Sequence, residues 1–187
     1  MTEKQYRGRL APVTRWLDGV TDKDLMKGVG IVTLTAAFAA ATEYVVASKL
    51  VIPELAGMGG AIGAATTVGA VLGIYLGWVI TTLIYHTAAH ILGGKGDRNR
   101  MFALTAYASI PGLIQQMLRF VSYWLLGSMP LTTTNFIELL VDYFNVFTII
   151  SLVLIGIAVM LNYGLTAKKA AFVALIPIIL SLALGLF

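Results

Sequence analysis

The sequence predicts an all-α, polytopic membrane bundle of five transmembrane helices, with a cytoplasmic N-terminus and a short interfacial helix. Three observations carry that expectation. Apolar residues make up 58% of the 187-residue chain and charged residues 12%, where a soluble domain is about half apolar and about a quarter charged. Mean hydropathy is +0.86. The apolar residues fall in blocks, and a spanning helix needs about 20 of them in a row. Finally, the basic residues crowd into alternate connections between those blocks. Closed antiparallel strands also satisfy a backbone in lipid, but no segment alternates polar and apolar as they would require.

Residues 1–27 read as a lead-in too charged for a cleaved signal peptide, followed by a transmembrane domain over 28–187 whose first block is a retained anchor. Within the lead-in, Val13, Trp16, Leu17 and Val20 share one helical face, with Pro12 in the first turn and Arg15 opposite. That pattern suits a short helix lying in the cytoplasmic interface. Thr21 then reads as an N-cap, with Asp22 in the first turn and Asp24 three residues on. The spans are expected over residues 28–47, 61–92, 101–126, 139–161 and 170–187. The second exceeds about 20 residues and should tilt or project beyond the hydrocarbon. Pro111 lacks an N–H and should kink or break the third, and Pro177 should act likewise in the fifth. Asn135 with Glu138 resembles a capping box opening the fourth.

Eleven of the thirteen Lys and Arg residues lie before the first span, between the second and third, or between the fourth and fifth. The other two connections carry only Lys49. This positive-inside bias places the N-terminus in the cytoplasm. It also accounts for the net charge of +4 without nucleic acid as a partner. Cysteine is absent, which rules out disulfides and thiolate chemistry and leaves the redox compartment unread.

Ala61, Ala65, Gly69, Gly73 and Gly77 recur every four residues along the second helix and form a smooth ridge. Small residues of this kind let membrane helices approach closely. Internal packing against Ala37 and Ala41 of the first helix is the expected use, with a homodimer interface as the alternative.

Polar residues within spans are the candidates for function, because burying them in lipid is unfavourable. Glu43, Gln115, Gln116, Arg119 and Asp142 all fall toward the outer leaflet under this topology. They form either a polar site for an ion, solute or headgroup, or a set of structural and snorkelling side chains. His86 and His90 stand four apart near the inner end of the second helix, a spacing that can share a metal. The chain has only these two histidines, so the ligand set is short. Hydrogen bonding of His86 to a neighbouring helix end is the more modest expectation. The GGKGDR turn lacks the strand and the Lys-Ser/Thr ending of a phosphate loop, so its glycines should end a helix.

The run HTAAHILGGKG (86–96), then ALTAYASIP (103–111) and NYGLTAKKA (162–170), resembles the signature of the Ypt/Rab-interacting protein (YIP) family. The matching positions are His86, Gly93, Gly94, Lys95, Gly96, Tyr107 and Pro111, with the later Gly-Leu-x-x-x-Lys-Ala turn. The resemblance covers roughly residues 28–187 and implies five spans with a cytoplasmic N-terminus. Eukaryotic members are Golgi and endoplasmic-reticulum proteins that bind prenylated Rab-type GTPases and organise vesicle traffic. Their Asp-Leu-Tyr-Gly-Pro motif is missing from this lead-in, so the resemblance implies a prokaryotic member and does not extend to GTPase binding. The expected function is a non-enzymatic membrane organiser or adaptor, without cofactor, that contacts the bilayer and either a membrane-protein partner or a second copy. The alternative is a small transporter, channel or lipid-moving protein using the outer polar residues.

Overall fold

The computed structural model describes residues 11–49, 58–126 and 145–184, and these form helices joined by short turns. Helix α1 covers Ala11–Asp18, with Pro12 in its first turn, where a missing N–H leaves no helical bond unmade. A single 3-10 turn, Asp22–Asp24, follows. The Thr21 amide and hydroxyl both donate to Asp24 Oδ2 at 3.0 Å, as the capping pattern predicts. Helices α2 (Leu25–Lys49) and α3 (Gly59–Ile91) come next. They are followed by α4 (Arg98–Ala108), α5 (Ile110–Leu126), α6 (Val146–Tyr163) and α7 (Ala167–Leu184).

Among the described residues, three helical stretches are long and apolar enough to cross a membrane: Asp22–Ala47, Gly60–Ile91 and Val146–Tyr163. The 33 residues of α3 extend for about 50 Å at 1.5 Å per residue. The hydrocarbon core is only about 30 Å thick, so α3 must tilt or project beyond it.

The expected third span is divided at Ser109, which caps α4 while Pro111 sits in the first turn of α5. The Ser109 hydroxyl donates to the Ala106 carbonyl at 2.7 Å and satisfies an acceptor at the break. Pro177, by contrast, leaves α7 unbroken. One absent N–H removes a single helical bond, and the residues on either side of Pro177 remain helical. The described helix of the expected fourth span is α6. It begins at Val146, capped by Asn145, whose side chain accepts from the amides of Phe147 and Thr148 at 3.0 and 3.1 Å. Asn135, Glu138 and the expected start at residue 139 lie outside the described residues.

Helix α4 is the hub of the bundle. It packs against α2, α3, α6 and the 3-10 turn. Met101, Ala103, Leu104, Ala106 and Ala108 are fully buried. One core cluster joins Met101 to Tyr85 and Ala89 of α3, Val159 and Tyr163 of α6, and Val173 of α7. A second joins Ala103 and Leu104 to Leu17, Val20, Ile157 and Ala158. The apolar face of α1 therefore buries Leu17 in protein instead of resting wholly in lipid headgroups, with Trp16 meeting the Tyr107 ring edge-on at 5.9 Å.

The small-residue ridge faces outward, which corrects the expected internal packing. Ala61, Ala65, Gly69, Gly73 and Gly77 are exposed, as is Ala37. Helix α3 turns another stripe inward: a Cβ on Gly63 would lie 3.5 Å from the Tyr44 ring, and Thr82, Tyr85 and Ala89 are buried. Polar atoms decide this choice. The Trp78 indole donates to Thr105 Oγ1 at 3.1 Å, and the Thr82 and Thr105 hydroxyls share a 2.8 Å hydrogen bond. In hydrocarbon these groups find partners only in protein, whereas a glycine ridge has no such requirement.

Helix α2 approaches α4 closely at Gly28, where an added Cβ would meet the Ala106 Cβ at 3.0 Å; at Gly30 it would meet nothing within 4 Å. Gly28→Leu should therefore lose about 1–3 kcal/mol through overpacking and lower the thermal unfolding midpoint in detergent. Gly30→Leu should leave the midpoint near that of the parent protein, and equal midpoints for the two variants would refute the close contact.

Candidate functional site

His86, His90 and the Gly93–Gly96 run converge at the end of the bundle where α3 stops. Gly93 has φ +87° and Gly94 follows; the Gly93 amide donates to the His90 carbonyl and the Gly94 amide to the Ala89 carbonyl, both at 2.9 Å. This is the left-handed glycine stop of an α-helix. Helix α6 ends in the same manner at Gly164, with φ +66°.

The two stops interlock. A Cβ on Gly94 would lie 2.7 Å from the Tyr163 Cβ, and one on Gly96 would lie 2.5 Å from the Tyr163 ring and 2.6 Å from the Asn162 carbonyl. The turn can therefore rest on Tyr163 only as bare backbone. The Lys95 amide donates to the Tyr163 carbonyl at 3.2 Å. The Asn162 side-chain amide donates to the Asp97 carbonyl at 2.8 Å, and Lys169 Nζ donates to the Leu92 carbonyl at 2.9 Å. Asn162 and Tyr163 are both buried.

Three rings fill the space above the turn. His86 Nδ1 and the Tyr163 hydroxyl share a 2.6 Å hydrogen bond, so His86 does bond to a neighbouring helix end. The His86 and His90 rings meet edge-on at 4.5 Å, and His90 meets Tyr163 edge-on at 5.6 Å. His86 Nδ1 is thus engaged by Tyr163, and the Asp97 carboxylate accepts from the Arg100 amide at 2.7 Å. Among the described residues no group of three or more His, Asp or Glu side chains is placed to hold one.

Arg100 extends the interlock to the N-terminal segment. Its Nε donates to the Val20 carbonyl at 2.9 Å, and Nη2 donates to the Asp18 carbonyl and to Asp18 Oδ1 at 3.1 and 3.2 Å. Asp18, Thr21, Asp22, Asp97 and Arg100 border an open depression of about 460 Å³ at this end. The N-terminal segment, the α3–α4 turn and the α6–α7 turn thus form one face, and they are the three connections that carry the concentrated basic charge.

The other sequence candidates lie apart from this face. Tyr107 packs on Trp16, and Pro111 is buried at the α4–α5 break. Glu43 on α2 and Arg119 on α5 are both exposed and form no ion pair with each other, while Gln115 and Gln116 are half-buried on α5. Asp142 lies outside the described residues. Sequence reading passed over Tyr163 and Arg100. The one available signal was a Tyr-Gly pair closing an apolar block opposite a glycine-rich turn, and nothing in it links Arg100 to residues some 80 positions earlier.

This fold, with apolar helices long enough to cross and an interlocked polar end, defines a helical-bundle integral membrane protein. Residues 10–187 match the family model described as the Yip1 domain, and the chain belongs to that family. No curated protein and no solved structure matches it.

The interlock makes a graded stability test. Gly96→Ala pushes a methyl into Tyr163 and the Asn162 carbonyl and should cost about 1–3 kcal/mol. Gly112→Ala on α5 meets nothing within 4 Å and should gain up to about 1 kcal/mol from helix propensity. Thermal unfolding in detergent reads both, and a Gly96→Ala midpoint at or above that of Gly112→Ala would contradict the contact.

Proposed function

We propose that the chain crosses the membrane five times and acts as a non-enzymatic organiser or adaptor in the membrane of a prokaryotic cell. Helix α2 leads away from the basic face, α3 returns to it, α4 with α5 leads away again, α6 returns and α7 leaves. The basic face lies in the cytoplasm, because Lys and Arg are retained on that side during insertion. The observation that carries the reading is the interlock itself. It fixes three separate connections into one preformed surface through the Lys95, Asn162, Lys169 and Arg100 hydrogen bonds. A preformed surface binds a partner without first having to order its loops. The partner is a membrane protein or a second copy that docks on this face, with the bilayer holding both in one plane.

The absence of native cysteine makes the test direct. Single cysteines at positions 23, 95 and 168 should resist an impermeant maleimide in intact cells and react after permeabilisation. A photoreactive side chain at 95 or 168 should cross-link to discrete membrane-protein bands. Labelling of intact cells would overturn the orientation. A solute flux abolished by Arg119→Met in a folded protein would overturn the adaptor role.

A further inference from the structure

A groove of about 310 Å³ runs along α3 where the small-residue ridge faces outward. Gly73 and Gly77 form its floor, and a Cβ on either would meet nothing within 4 Å. The glycines therefore hold a channel open instead of admitting a neighbouring helix. Val32, Ile74 and Ile155 give the groove its apolar walls.

Apart from the Thr81 hydroxyl, a single polar group, the polar side chains along the groove are already bonded within the protein. Thr105 Oγ1 bonds the Met101 and Phe102 carbonyls and receives the Trp78 indole. Thr35 donates to the Ile31 carbonyl at 2.9 Å and Ser109 to the Ala106 carbonyl. No buried side-chain nitrogen or oxygen among the described residues lacks a partner. A water or polar solute needs two to four polar partners to settle, so this lining selects an apolar occupant. Its size narrows the choice. The volume holds about ten water-sized groups at roughly 30 Å³ each, and a helix about 10–12 Å across does not fit.

Depth identifies the source. Counted from the ends of α2, α3, α4 and α6 at the basic face, the lining residues lie roughly 10–25 Å along the axes at 1.5 Å per residue. That is the hydrocarbon of the adjacent leaflet, within reach of a chain hanging from a headgroup at the basic surface. We propose that the groove seats one acyl chain of a membrane phospholipid, anchored by an anionic headgroup against the basic face. The groove lies outside the proposed docking surface, whose basic face only the headgroup would touch, and it rests on reading these helices as membrane-spanning.

Tryptophan quenching by vesicles of phosphatidylglycerol brominated midway along one acyl chain tests the proposal. Trp78 borders the groove, whereas Trp124 on α5 is exposed away from it. With the other tryptophans replaced by Phe, Trp78 alone should be quenched, and Gly73→Leu should remove most of that quenching while leaving a Trp124-only protein unchanged. Gly69→Leu, on the same ridge but outside the groove, should alter neither. Undiminished Trp78 quenching in Gly73→Leu, or an equal loss in Gly69→Leu, would overturn the groove. A Trp124 that no brominated lipid quenches in any variant would overturn the membrane-spanning reading itself. If Gly73→Leu also loses Trp124 quenching it is misinserted, and Gly73→Ala then takes its place with the same two outcomes.

Discussion

Tyr163 lies directly against the backbone of the Gly94–Lys95–Gly96 turn, and the arrangement of the basic end follows from that contact. The Tyr163 Cβ occupies the space a side chain at 94 would need, and its ring with the Asn162 carbonyl occupies that at 96. The glycines are therefore dictated by the approach of another helix and not by the turn alone. Once seated, the turn sets the start of α4, since Asn162 holds the Asp97 carbonyl and the Asp97 carboxylate caps the Arg100 amide. Arg100 then reaches residues 18–20. A single backbone-on-ring contact thus carries order from the end of α6 to the N-terminal segment.

Deeper in the bundle the governing constraint is polar satisfaction. Helix α3 offers two stripes that could face a neighbour, one of small residues and one holding Trp78, Thr82 and Tyr85. Hydrocarbon solvates glycine and leucine alike, so association gains little from hiding the first. An indole N–H left in lipid loses its partner outright, and a threonine hydroxyl keeps only a carbonyl of its own helix. The second stripe therefore turns inward to Thr105, and the first is left open. The same rule recurs along α2, where Thr35 and Thr42 donate back to the Ile31 and Phe38 carbonyls and lie buried without needing another helix.

Much of the local structure was legible in the sequence. The break at Pro111, the Thr21–Asp24 cap and the apolar face of α1 all follow from rules that act within a few residues. The failures share a different origin. Amphipathicity shows that Leu17 is buried but not whether lipid or protein covers it, and here α4 and α6 do. The glycine spacing announces close approach, yet lipid and helix are both compatible with a smooth ridge. Pro177 carries the same local signal as Pro111, but no capping residue like Ser109 stands before it, and α7 runs through. The part played by Tyr163 depends on residues far away in the chain, and a single sequence read along its length contains no term for that.

Hydrogen exchange on an Asn162→Ala variant in lipid nanodiscs tests the central claim most directly. Removing that side chain frees the Asp97 carbonyl while leaving Arg100 and the N-terminal segment chemically intact. If the interlock carries order across the basic end, amides of residues 94–97 and of residues 18–21 will lose protection together, with the middle of α2 unchanged. Loss confined to residues 160–165, with 18–21 protected as in the parent protein, would show that the three connections are held independently and would contradict the account.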